Sequence, residues 1–98
     1  MTQPSFSLTT TTPGSLGLSG ALTFATAAGA LETTRAELDR SGQTTLDLGG
    51  VTHADSAGLA TLLALLAHAR TQGKTLTVTR TPEGLRALAR VSGVENLL

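Results

Sequence analysis

Polar and apolar residues alternate from Ser5 to Thr10, with Phe6 and Leu8 on one side and Ser and Thr on the other, which predicts a half-buried strand. The threonine run from Thr9 to Thr12 favours extended backbone through β-branching. Pro13-Gly14 then supplies a turn, and Leu16 and Leu18 resume the alternation, so the chain opens with a hairpin. After Ser19-Gly20 the period changes. Phe24, Ala27, Ala28, Leu31 and Leu38 recur at helical spacing, predicting a helix from Phe24 to Arg40 with Thr23 as its N-cap and Ser41-Gly42 at its end. Glu32, Glu37, Asp39 and Arg40 face water, and Arg35 and Asp39 are spaced to pair across one turn.

Thr44 to Leu48 reads as a short strand with Leu46 and Leu48 inward. Gly49-Gly50 hinges a loop that leads to Asp55-Ser56, where a leucine-rich helix begins and runs to Gln72, ended by Gly73. Thr75 to Thr79 alternates again. Thr81-Pro82 supplies a cap and a proline in the first turn of a last helix, with Leu85, Leu88 and Ala89 on its inner face and Gly93 at its end. Val94, Leu97 and Leu98 form an apolar tail that tucks back or meets a partner. The order is β-β-α-β-α-β-α. Crossovers through helices require some parallel pairing and the hairpin adds an antiparallel edge, which predicts an α/β fold with one mixed sheet flanked by helices. A single domain spans residues 1–98, a length that hides roughly two thirds of the unfolded surface.

Composition narrows the function classes. Phe6 and Phe24 are the only aromatics, so the core is built from Leu, Val and Ala. Seven basic and seven acidic residues cancel, leaving no overall field to draw in nucleic acid or an anionic membrane. Cysteine is absent, which excludes disulfides and thiolate chemistry. Met1-Thr2-Gln3-Pro4 has neither the basic start nor the apolar run of a secretory signal, and no stretch approaches the roughly 18 apolar residues of a membrane span. The expectation is a cytoplasmic protein.

The candidate chemistry lies at Asp55-Ser56, where a strand, a loop and a helix start converge. An Asp or Ser oxygen there caps the helix by accepting an otherwise orphaned backbone N–H. The same place accommodates a phosphate on Ser56, because free N–H groups and the positive end of the helix dipole face it. Such a phosphate would add about −1.5 to −2 charges to the nearby surface. Catalysis by Ser56 with His53 and Asp55 is disfavoured: residues this close in sequence seldom reach triad geometry, and no nucleophile elbow surrounds Ser56. Gly49-Gly50 and Gly58 are followed by no Lys-Ser/Thr in register, so there is no phosphate-binding loop. His53-x-Asp55 lacks further ligands for a metal. The expectation is therefore no enzyme, no metal and no cofactor.

Along the leucine-rich helix, Leu59, Leu62, Leu63, Leu66 and Ala69 share a face predicted to cover the sheet. At about 100° per residue the opposite face carries Ala57, Ala60, Thr61, Ala64, Leu65, His68 and Gln72, without a charge. Helix propensity explains some of these alanines. A small-residue, uncharged face beside Ser56 also suits docking, since it costs little to desolvate and lets another backbone come close. The predicted contact residues are Asp55, Ser56, Ala57, Ala60, Thr61, Ala64, Leu65 and His68.

The run Val51-Thr52-His53-Ala54-Asp55-Ser56-Ala57-Gly58-Leu59, with the Leu-Asp-Leu strand before it and the leucine-rich helix after it, resembles the signature of the STAS domain family. Leu18-Ser19-Gly20-Ala21-Leu22 also matches, and the likeness covers essentially the whole chain. The resemblance implies a mixed sheet flanked by helices and puts Ser56 at the family's phosphorylatable position. Members include anti-sigma factor antagonists, phosphorylated by a partner kinase, and the MlaB-type cytoplasmic subunits of phospholipid ABC transporters that maintain lipid asymmetry. Leu22-Thr23-Phe24-Ala25-Thr26 resembles the corresponding run of the Mla-type members. On that likeness the expected partner is a transporter ATPase at the inner face of the membrane, the alternative being an anti-sigma factor kinase.

Overall fold

A computed structural model describes residues 5–98, Thr11 by its backbone only; Met1–Pro4 of the predicted domain lie outside the described residues. The elements are β1 (Phe6–Thr12), β2 (Ser15–Leu22), α1 (Ala27–Ser41), β3 (Thr45–Ala54), α2 (Ser56–Thr71), β4 (Thr77–Thr79) and α3 (Glu83–Val91), with a short 3-10 turn at Glu95–Leu97. The predicted order of strands and helices is the observed one. The sheet runs β1-β2-β3-β4, with β1 antiparallel to β2 and the other pairs parallel.

Alternation decides which side of the sheet is covered. Leu16 pairs with Leu46, Leu46 with Val78, and Leu8 with Leu18. Leu16, Leu18, Leu46 and Leu48 are buried, and Phe6, Leu8 and Val78 pack against them. The opposite parity brings together Ser7 with Ser19, Gly17 with Asp47, and Asp47 with Thr79, so the other face is small and polar. Above the apolar side, α1 and α2 pack together and α3 packs on α2.

The third strand is twice the predicted length. Rather than hinging a loop, Gly49-Gly50 lies inside β3, which continues to Ala54. Two irregularities make this possible. Between Gly17↔Asp47 and Ser19↔Gly50, β3 advances three residues against two, and between Gly20↔Val51 and Ala21↔His53 it advances two against one. Each extra residue is a bulge that shifts the side-chain parity. The first one carries the buried set from Leu46 and Leu48 to Val51. A Cβ on Gly50 would come within 2.7 Å of Ser19 Cβ, so this crowded step of the ladder takes a glycine.

The other differences sit at helix ends. Helix α1 starts at Ala27, not Phe24, and Thr23 does not cap it. Residues 23–26 form a turn in which Thr26 Oγ1 accepts the Thr23 N–H at 3.0 Å and donates to the Ala21 carbonyl at 2.8 Å. Phe24 is consequently 83% exposed instead of facing the core. The buried face of α1 is Ala30, Thr34 and Leu38, with Ala28 exposed. Asp39 pairs with His68 of α2 at 2.8 Å instead of with Arg35, and Glu37 pairs with Arg40. Pro82 occupies the N-cap position of α3, one residue outside the predicted first turn. After Gly93, Val94 and Leu98 pack on the core while Leu97 stays 47% exposed.

Candidate functional site

The tip of α2 is assembled by one carboxylate. Asp55 is the N-cap, in extended backbone, and its Oδ1 accepts the Gly58 N–H at 3.1 Å. Its Oδ2 accepts the Phe24 N–H at 3.1 Å, which ties the β2–α1 turn to the same helix tip. These donors, Phe24 first and Gly58 next, hold the Asp55 carboxyl below the ordinary aspartate range. Ser56 follows as the first residue of α2 and is exposed, at the positive end of the helix dipole.

Backbone packing explains why the helix begins here. The ends of β2 and β3 run side by side, with Leu22 opposite Ala54 and the Asp55 N–H directed at the Leu22 carbonyl. Gly58 is buried against that carbonyl, and a Cβ at Gly58 would overlap the Leu22 oxygen. The glycine of the Asp-Ser-Ala-Gly-Leu run is therefore a contact requirement. It lets the first turn of α2 sit directly on β2.

His53 and Asp55 are not assembled around Ser56 for catalysis. His53 is exposed, its Nδ1 lies 3.0 Å from Thr52 Oγ1, and both Asp55 oxygens are occupied by backbone donors. Among the described residues no group of three His, Asp or Glu side chains is placed to hold a metal ion. Nor is any described helix long and apolar enough to cross a membrane.

The rotation of α2 corrects the predicted docking face. Leu65 is fully buried and Thr61 is 5% exposed, so neither is available to a partner; the Thr61 hydroxyl donates to the Ala57 carbonyl at 2.9 Å. Leu63 and Leu66, expected on the sheet, are instead only partly buried. Of the other predicted contacts, Ser56, Ala60 and Ala64 are exposed, whereas Asp55, Ala57 and His68 are half-buried. His68 faces α1 through Asp39 rather than open solvent. The outward stripe is Ser56, Ala60, Ala64 and Ala67, at spacings of three and four, with half-buried Leu63 at its edge and Leu97 beside its far end in a shallow groove.

Two features of this surface escaped the sequence pattern. Phe24 adjoins the helix tip, since its backbone is hydrogen-bonded to the residue before Ser56 and its ring lies outside the core. The signal available for it was the Thr23-x-x-Thr26 turn, in which a threonine hydroxyl competes with helix formation. Leu63 is the second, hidden by the breadth of apolar residues around α2.

A family model described as "Mlab, STAS domain" matches residues 9–98. The chain belongs to the STAS domain family. The matched span contains the whole Asp55–Ala67 surface of this STAS domain. Among solved structures, the anti-sigma factor antagonist SpoIIAA in its unphosphorylated form is similar with a TM-score of 0.71 at 14% identity, over 94% of this chain and 84% of that one. The Bacillus cell fate determinant SpoIIAA in the phosphorylated form is similar with a TM-score of 0.57 at 19% identity, over 94% and 86% of the two chains. At these identities the likeness is one of fold. No curated protein matches the chain.

Proposed function

We propose that this STAS domain is a non-catalytic subunit that docks on the ATPase of an Mla-type phospholipid ABC transporter and supports its activity. The observation that carries the reading is the outer surface of α2, which from Ser56 to Ala67 exposes no charged side chain and is flanked at its tip by exposed Phe24. Such a surface is cheap to desolvate, its alanines permit close backbone approach, and an aromatic at its margin supplies an anchor. The family model's description and the Leu22-Thr23-Phe24-Ala25-Thr26 run support the transporter branch. Docking of this kind would place the protein at the cytoplasmic face of the membrane through its partner.

The test is binding of purified wild-type and Ala64→Arg protein to the ATPase subunit. Ala64 is exposed, so the variant is expected to fold normally and lose the complex, because an arginine would be buried at the contact without a partner. A folded Ala64→Arg variant that binds like the wild type would remove α2 from the interface.

A second reading has its own support. Ser56 is exposed at a helix N-terminus, in a fold shared with an anti-sigma factor antagonist solved in both unphosphorylated and phosphorylated forms. In this reading a kinase partner phosphorylates Ser56 and thereby changes the charge of the docking surface. Incubation with the candidate kinase and ATP should add one phosphate to the intact mass, and Ser56→Ala should abolish the gain. Phosphate acquired equally by Ser56→Ala would rule the site out.

A further inference from the structure

We propose that Asp55 is a positioning residue of the docking surface, holding Phe24 at a set place beside Ser56; the proposal deepens the docking function above and rests on it. Phe24 is 83% exposed, so its apolar area contributes little to internal packing. An exposed aromatic on a loose loop would have to be ordered when a partner arrives. Here the loop is tied down from two sides.

Within the turn, Thr26 Oγ1 bridges the Thr23 N–H and the Ala21 carbonyl. From outside it, Asp55 Oδ2 takes the Phe24 N–H, while Oδ1 of the same group caps α2 through Gly58. One carboxylate therefore fixes the Phe24 backbone relative to the start of the Ser56, Ala60, Ala64 stripe. The backbone that carries the exposed ring is thus fixed to the tip of the stripe, and the cost of ordering the turn is met before binding. The partner chemistry that fits is an uncharged face with an apolar recess for the phenyl ring next to a flat contact for the helix.

The two oxygens allow the two roles to be separated. Asparagine and serine are as good at an N-cap as aspartate, but neither has a second acceptor oxygen in the place of Oδ2 to meet the Phe24 N–H. Asp55→Asn and Asp55→Ser should thus keep α2 capped and release the turn. In the free full-length protein, amide hydrogen exchange at Phe24 should accelerate in both variants while Gly58 stays protected.

Binding to the transporter ATPase should then weaken about tenfold for Phe24→Ala and severalfold for Asp55→Asn. The double variant should be no weaker than Phe24→Ala alone, because Asp55 acts through Phe24. Unchanged Phe24 exchange in Asp55→Asn overturns the proposal. So does wild-type affinity in a variant whose Phe24 amide is freed, or a double variant that loses the product of the two single effects. A wild-type protein without affinity for the ATPase overturns the transporter function itself; the exchange measurement on the free chain still decides the Asp55–Phe24 clamp.

Discussion

The guanidinium of Arg80 lies across Gly49 and holds the Asp47 carboxylate of the neighbouring strand, with Arg80 Nε 2.8 Å from Oδ1. Arg80 adopts φ 53°, the only left-handed non-glycine residue described, and it does so directly after the three-residue strand β4. The pair therefore fastens the end of a short edge strand to β3 on the polar side of the sheet. Gly49 leaves the room, since a Cβ there would meet the guanidinium, and its N–H also donates to Asp47 at 2.9 Å.

Acid should loosen this fastening. Arg80 first and the Gly49 N–H next hold the Asp47 carboxyl below its ordinary value, and Asp55 is lowered by its own backbone donors. A carboxyl lowered on folding stabilises the native state fully above its unfolded pKa, about 3.9, and loses that contribution as pH falls toward the lower folded value. Melting temperatures measured from pH 7 down to 2 should therefore drop through this window, and less steeply in Asp47→Asn. An Asp47→Asn protein with the same acid slope as wild type would show that the pair adds nothing.

Neighbouring positions on α2 should respond oppositely to substitution. Leu65 is fully buried, so Leu65→Ala is expected to cost about 2–5 kcal/mol in chemical denaturation, and Leu65→Arg to prevent folding. Ala64 is exposed, and Ala64→Arg should stay within about 0.5 kcal/mol of wild type. Equal losses at the two sites would mean that α2 is rotated differently.

At Gly58 two effects compete. Alanine is favoured over glycine inside a helix by about 1 kcal/mol. Against this, the added Cβ meets the Leu22 carbonyl oxygen, a backbone atom that cannot rotate aside. Overpacking of this kind costs about 1–3 kcal/mol, so Gly58→Ala should be destabilising in a urea titration. A gain in stability would show that the helix tip can lift from β2 without penalty.

Thr34 gives the reverse expectation. It is fully buried on α1, and among the described residues its hydroxyl has no hydrogen-bond partner. Thr34→Val keeps the shape and removes the unpaired oxygen, and should raise stability by about 1 kcal/mol. A calorimetric melting temperature at or below that of wild type would point to a partner for the hydroxyl.

Much of this was legible along the chain because its causes are local. Leu16, Leu18, Leu46 and Leu48 announce strands by alternation, and Asp55 announces a helix start because its side chain caps a group three residues away. The β3 bulges were not legible: Gly49-Gly50 reads equally as a loop hinge and as a crowded strand, and only the pairing partner β2 distinguishes them. Phe24 was misplaced for a similar reason. Helical spacing included it in α1, whereas the Thr26 hydroxyl and the distant Asp55 carboxylate hold its backbone in a turn.

The amino-acid sequence by itself determined the order of elements, the leucine rows of the core and the placement of Asp55-Ser56 at a helix tip. Tertiary structure alone decided which side of α2 meets the outside. Leu59, Leu62, Leu63, Leu65 and Leu66 spread over almost half the circumference of the helix, so hydrophobicity selects no single inward direction. The direction is chosen by Gly58 seating against Leu22, together with α1 packed alongside and joined through Asp39 and His68. These contacts turn Thr61 and Leu65 inward and leave Ala60 and Ala64 toward solvent with Leu63 half-buried, because backbone proximity between distant segments has no periodicity to leave in the sequence.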